Sequence, residues 1–304
     1  MGKYDAGLPA RLLLLPFFCL LLAGLAPFPA LAASPIHPPA PPPSSPTEVL
    51  KISGCSISRA GYLDFLAAAF TERTGIRVLL KGGGSAAGLI NLAGDATDLA
   101  ASCLPPEAEE VPVSVRMAPV AWDALVFIAH PDNPLDSITL AQARAVFLGQ
   151  VADWRALNGT EQPLTLYLQY SPRTKITQGI PYFIHKKLLG GREITADPAI
   201  LRPRPSGGLV EEALVRDPGA FAATGFTSAR LKSGKLKMLA VDGVVPSREN
   251  IISGAYPAEL RRHLYLALRR DAAPAAERFL AFVLSPEGQQ LLRSHGVVAL
   301  DDIR

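Results

Sequence analysis

Arg77-Val78-Leu79-Leu80-Lys81-Gly82-Gly83-Gly84-Ser85-Ala86-Ala87-Gly88-Leu89 sets a short apolar run, three glycines and the opening of a helical pattern in direct succession. The order predicts a strand over 77–80, a tight loop, and a helix over 85–93. Only glycine lets the main chain close tightly on a ligand, and a helix start offers unpaired amides and the positive end of the helix dipole. The loop, with Gly84 and Ser85 at its end, is therefore a candidate anion cradle. A plain glycine-rich turn with Ser85 as N-cap would read the same way, and the segment alone leaves both open.

Outward from this point, short apolar runs alternate with helical patterns, the order that builds a mainly parallel sheet covered by helices. Upstream lie a strand over 49–53 and a helix whose Leu63, Leu66, Ala67 and Phe70 share one face and which Gly75 closes. Downstream, 99–102 reads as a third strand and 117–129 as a strand long enough to leave one lobe and enter another. Helices are expected over 140–148, 177–189 and 207–215, the last capped by Ser206 and carrying Glu211-Glu212 in its first turn. Strands are expected over 165–168, 223–227, 237–241 and 264–268, with 237–241 placed to return to the first lobe. A helical C-terminus follows through His295. The fold class is α/β. Ligands of open α/β sheets sit beyond the carboxyl ends of the strands, which here carry Cys55, Ser56, the 82–85 loop and Cys103.

Lys3 and Arg11 precede the apolar stretch 12–28, and Ala30-Leu31-Ala32 supplies the small residues that a signal peptidase reads. The stretch is broken by Pro16, Gly24 and Pro27, so a signal peptide over 1–32, cleaved near Ala32, fits better than a retained anchor. Residues 33–47 are Pro-rich and form an extended leader. The formal net charge of the 304 residues is +3, without the clustered basic face that nucleic acid or a membrane surface calls for. The five histidines are scattered with no metal-site spacing, no serine sits in a nucleophile-elbow sequence, and no cofactor is implied. Cys19 falls within the signal, leaving Cys55 and Cys103.

Three longer stretches carry a resemblance. They are Ala121-Trp122-Asp123-Ala124-Leu125-Val126-Phe127-Ile128, then Asp132-Asn133-Pro134, then Phe147-Leu148-Gly149-Gln150-Val151-Ala152-Asp153-Trp154. With Ile52-Ser53-Gly54-Cys55-Ser56, the 82–88 loop and Leu284-Ser285-Pro286-Glu287-Gly288-Gln289-Gln290, they resemble the phosphate-binding subgroup of the periplasmic solute-binding proteins that serve ABC importers. The resemblance implies a two-lobed type II periplasmic binding protein fold joined by two crossing strands, with lobe I over 48–124 and 240–304 and lobe II over 125–239. It also implies a monomer in the periplasm, a small oxyanion as ligand, and a membrane ABC permease or sensor protein as partner.

In that family the anion is held by hydroxyls and amides of two first-lobe loops, an acid after the third strand, and an Arg followed by a Ser-Gly-Thr helix start. Ser85 matches its loop position, and Ser56 or Ser58 supplies the first-loop hydroxyl. Arg173 stands near the family's Arg. Thr177-Gln178-Gly179 replaces Ser-Gly-Thr, and Cys103 replaces the acid. Loss of that acid relaxes or changes anion specificity, because a carboxylate there repels fully deprotonated anions. Because the family's first and third strands are neighbours and export meets an oxidising compartment, the resemblance also implies a Cys55–Cys103 disulfide at the cleft floor. Two buried free thiols are the alternative. Three functions follow: an importer's anion receptor, a periplasmic sensor or adaptor with a changed ligand, and a thiol-dependent enzyme using Cys55 and Cys103.

Overall fold

A computed structural model describes residues 48–109, 111–170 and 179–303. The signal peptide and leader read over 1–47, and the candidate residues Arg173, Thr177 and Gln178, lie outside the described residues. Among the described residues the strands are β1 (Val49–Gly54), β2 (Arg77–Gly82), β3 (Leu99–Ser102), β4 (Val115–Ala129), β5 (Ser137–Ile138), β6 (Thr165–Gln169), β7 (Leu201–Arg204), β8 (Ala220–Gly225), β9 (Lys237–Met238), β10 (Ala240–Val241) and β11 (Arg261–Arg269). The main sheet runs β2-β1-β3-β11-β4-β8-β6-β7, while β5 and β10 make a small sheet of their own. β1 is parallel to β2 and β3, and β6 is parallel to β7 and β8; β11 and β4 are the antiparallel insertion between the two parallel groups.

β4 divides the sheet. Its residues Val115–Ala124 pair with β11, and from Leu125 onward it pairs with β8. A strand whose last nine residues are nearly all buried cannot be a solvent-washed edge, and its apolar run from Ala124 to Ala129 packs on both faces. Beneath the second half, Phe127, Phe147, Trp154 and Phe221 form one aromatic cluster. Trp154 is fully buried because its indole N–H finds the Gly219 carbonyl at 3.0 Å. Beneath the first half, Phe70 meets Phe279 edge-on and Phe282 at a tilt.

Two expected strands differ. The segment 237–241 breaks at Leu239, whose amide bonds to Phe127 O at 2.9 Å, and its two pieces pair with β4 and β5. It therefore stays with the second half of the sheet instead of returning to the first. The strand expected over 223–227 runs Ala220–Gly225, and Phe226–Ala229 turns into helix. The cause is a carboxylate: Asp123 Oδ1 accepts from the Thr227 amide and hydroxyl, both at 2.8 Å, and anchors the turn. The helix expected over 177–189 is described from Gly179, and its Ile184–Leu188 portion is π-helical.

The helical stretch after β1 also carries a π turn, Arg59–Leu63, between Ser56–Ser58 and Asp64–Thr74. That turn lies against the Phe226–Ala229 helix so closely that a Cβ on Gly61 would stand 2.5 Å from Thr227 Cγ2. Arg230 Nη2 reaches across to the Gly61 carbonyl at 3.2 Å. The two halves of the sheet thus meet through helices of both, over the carboxyl ends of β1 and β3. Among the described residues no helix is long and apolar enough to cross a membrane.

Candidate functional site

β1 ends on Gly54, whose φ of +130° takes the chain away from the sheet beside the Ala101 backbone. The following amide, Cys55 N–H, donates to Ala101 O at 2.8 Å, and Gly84 N–H donates to Gly54 O at 2.9 Å. Three loops, after β1, β2 and β3, are thereby stitched to one another by main-chain bonds. Gly84, with φ of +102°, is the N-cap of the Ser85–Ala93 helix, a conformation that L side chains rarely adopt. Ser85 is therefore the first helical residue and not the cap. Its Oγ instead accepts the Cys103 amide at 2.9 Å, which holds the β3 loop and leaves its own O–H to donate elsewhere.

These loops line a cavity of about 10 Å³, the space for roughly one water. From the first half come Cys55, Ser56, Ile57, Gly84, Ser85 and Cys103; from the second come Gln169, Gly179, Ile180 and Gly207. Of the residues expected to bind, the structure brings Ser56, Gly84, Ser85, Cys103 and Gly179 together here. Ser58 is not on the wall: it is fully buried behind, with Oγ 4.0 Å from Cys103 Sγ. Gly207 opens a helix of eight residues capped by Ser206, as the sequence predicts, so a second helix start faces the same space. The described wall carries no Asp, Glu, Lys, Arg or His side chain.

The two cysteines are free thiols, and the expected disulfide is absent. Both line the cavity, and their side chains interact there. Burial pushes the Cys55 thiol up, but hydrogen bonds from Cys103 and Ser58 and the nearby Arg262 charge hold it down at about 6. Its hydrogen bond to Cys55, together with burial, holds the Cys103 thiol well above the ordinary thiol range. The two shifts run in opposite directions because the thiols interact with each other.

Beneath the thiols lies an ion pair that sequence reasoning missed. Arg262 and Asp123 are both fully buried; Asp123 Oδ2 accepts from Arg262 Nε at 3.1 Å and Nη2 at 2.7 Å. A lone acid inside the apolar run Ala121–Ile128 was the available signal, since such a carboxylate demands a buried partner. Glu211 was likewise read as a first-turn acid. It is instead fully buried and accepts from Thr224, Ser228 and Lys232 within the second half. Nothing in the sequence marked Gln169 or Gly207 as cavity-lining; their placement depends on how the second half folds over the first. Among the described residues no group of three or more His, Cys, Asp or Glu could hold a metal ion.

A family model described as a PBP superfamily domain matches residues 41–287. The chain belongs to the PBP superfamily. Among curated relatives of this PBP domain, the phosphate-binding protein PstS of Bacillus subtilis is 26% identical over 84% of the chain and 82% of its own length. Protein SphX of Synechococcus elongatus is 28% identical over 74% of the chain and 69% of its own length. A Clostridium perfringens ABC transporter substrate-binding protein with bound phosphate superposes with a TM-score of 0.71 at 18% identity, over 83% of this chain and all of that one. An ABC-type phosphate transport receptor from Vibrio cholerae superposes with a TM-score of 0.61 at 19% identity over the same share of this chain. The expected resemblance to phosphate-binding proteins of this superfamily holds, as does the mixed α/β fold with a mainly parallel sheet flanked by helices.

Proposed function

We propose that this PBP domain is an exported receptor that captures a small phosphate-like oxyanion between the two halves of its sheet and delivers it to a membrane ABC permease. The observation that carries the reading is the convergence of Ser56, Ser85 and the helix starts at Ser85 and Gly207 on one cavity. Helix starts leave amides without intrahelical acceptors and place partial positive charge at that point, which suits an anion without any metal. Ser85, committed as acceptor to Cys103 N–H, has only a donor left to offer. No step of bond making is needed for capture and release, and the reading is non-catalytic.

The described cavity, about 10 Å³, is smaller than a tetrahedral oxyanion, so in this reading the anion enters when the halves part about β4. Gly61 is one point of close approach between the halves. Gly61→Ala places a methyl 2.5 Å from Thr227 Cγ2 and 3.0 Å from Thr227 O. The variant is expected to melt no more than about 1–3 kcal/mol below the parent without ligand, because alanine's preference for helix partly offsets the overpacking. Its anion affinity falls tenfold or more, and small-angle scattering shows no contraction on adding anion; a contraction equal to the parent's would refute hinge closure at this contact.

Titration calorimetry with phosphate, sulfate, molybdate and tungstate tests the main reading. One site is expected to saturate, and Ser85→Ala is expected to weaken it about 10- to 100-fold, the loss of one hydrogen bond to a charged group. With a neutral thiol at Cys103 in place of an acid, phosphate and sulfate are expected to bind within about tenfold of each other. The absence of Lys and Arg from the described wall favours a second reading, a periplasmic sensor or adaptor that docks a membrane partner with a changed ligand. Heat from none of the four anions would select it.

A further inference from the structure

A larger pocket of about 390 Å³, whose lining includes Pro105, shares no lining residue with the first cavity. One wall is made of rings on the two central strands. Trp122 of β4 lies over His263 of β11 with centroids 3.6 Å apart, and His263 meets Tyr265 edge-on at 5.9 Å. The opposite wall comes from the segment 182–187, where Tyr182 and Phe183 precede a π-helical turn that carries Lys186 and Lys187. π turns are rare and concentrate at functional sites, because the extra residue re-aims side chains.

The charges are unbalanced. Lys186 and Lys187 are exposed, and neither they nor Arg261 has an acidic partner within ion-pair distance among the described residues. Glu107 is the single acid on the wall. Arg262 also lines this pocket, stacked over the Phe183 ring at 5.2 Å, and its Nη1 has no hydrogen-bond partner although the side chain is fully buried. That nitrogen is buried behind the wall, so the cations exposed at the pocket are Lys186 and Lys187. Burial holds the pKa of the partly buried His263 below its usual value, so near neutral pH its ring adds a flat face and no charge.

We propose that this pocket binds a small organic anion with a flat aromatic body, the ring against the Trp122–His263 wall and the anionic head toward Lys186 and Lys187. Its volume is that of an ordinary small-molecule site, and inorganic phosphate would leave the ring wall unused. Rings with convergent cations select for both features at once, since stacking is blind to charge and cations are blind to shape. The pocket is built from the β3 loop of the first half, the 182–187 segment of the second, and both central strands. Occupancy therefore favours the closed arrangement by linkage. This site stands independently of the oxyanion reading of the first cavity.

The test is equilibrium dialysis of the full chain with AMP and with benzoate, with inorganic phosphate as the control, alongside Trp fluorescence. Trp122 lines the pocket and Trp154 is buried elsewhere, so a bound ring changes Trp122 emission, and Trp122→Phe removes that response. Saturable binding of one aromatic anion is expected, weakened tenfold or more in a Lys186→Glu, Lys187→Glu variant and unchanged in Ser85→Ala. AMP above benzoate identifies a phosphate head, and the reverse a carboxylate head. The proposal fails if neither probe saturates, if the lysine variant binds as the parent does, or if inorganic phosphate displaces the probe in the parent but not in Ser85→Ala.

Discussion

Asp123→Ala lowers the stability of the folded chain by about 3–5 kcal/mol, the cost of leaving a buried charge without its counter-ion. Asp123 accepts four hydrogen bonds: two from Arg262 and two from Thr227. Both side chains of the ion pair have no exposure, so water cannot enter to solvate the guanidinium left behind. The removed carboxylate also orphans the Thr227 amide that starts the Phe226–Ala229 turn. Because that turn touches the Arg59–Leu63 segment, the loss reaches the contact between the halves. Urea denaturation reads the effect as a fall in midpoint at constant slope. The pair itself is a different matter from its breakage. Replacing both members, as in Asp123→Leu with Arg262→Met, is expected to recover most of the loss, since two well-packed apolar groups avoid both desolvation costs. If the single and double variants are equally unstable, the account of an uncompensated charge is wrong and packing carries the effect.

Gly54→Ala is expected to cost about 3–5 kcal/mol and to abolish anion binding. Two separate terms add. The φ of +130° strains any residue with a Cβ by about 1–3 kcal/mol. The new methyl would also overlap the Ala101 carbonyl oxygen and sit 3.0 Å from Ala101 N, and these are backbone atoms that no rotamer change can move. Overpacking of that kind adds about 1–3 kcal/mol. Relief requires β1 to part from β3 at the point where Cys55 N–H bonds to Ala101 O, and the loop lining the cavity moves with it. Gly88→Ala probes the same joint from the helix side, since its Cβ would come 2.5 Å from Gly54 Cα while its own φ remains helical. A Gly54→Ala protein with the parent's urea midpoint and affinity would show that β1 and β3 are not held as described.

The alternation of short apolar runs with helical patterns made the α/β class legible, because each element needs only its own period to declare itself. The glycine loop was legible for a similar reason: the 77–89 stretch carries strand, glycines and helix within one short window. The division of β4 was legible as length, since 117–129 is too long to serve one group of strands. Residue types alone did not reveal which neighbours a segment would take. The segment 237–241 reads as one strand in any context, yet it splits because Phe127 O and Asp136 O, far away in sequence, accept from consecutive amides at Leu239 and Ala240. Phe226–Ala229 has strand-like residues and becomes helix because the Asp123 carboxylate waits there. The disulfide expectation rested on strand neighbourhood, which is correct for β1 and β3. The two side chains nevertheless stand as free thiols, because neighbouring strands do not by themselves make the bond.

Local pattern and glycine chemistry determined from the sequence alone that a strand–loop–helix unit with Ser85 at the helix start belongs to a mainly parallel sheet. Tertiary structure alone decided that Ser85 holds Cys103 instead of capping its helix, that Ser58 lies behind the wall, and that Gln169 and Gly207 complete the cavity. The physical reason is range: strand and helix periods and turn preferences act over a few residues. The partners of a buried donor or charge are chosen by packing between segments as distant as Asp123 and Arg262, and that choice exists only once the chain has folded.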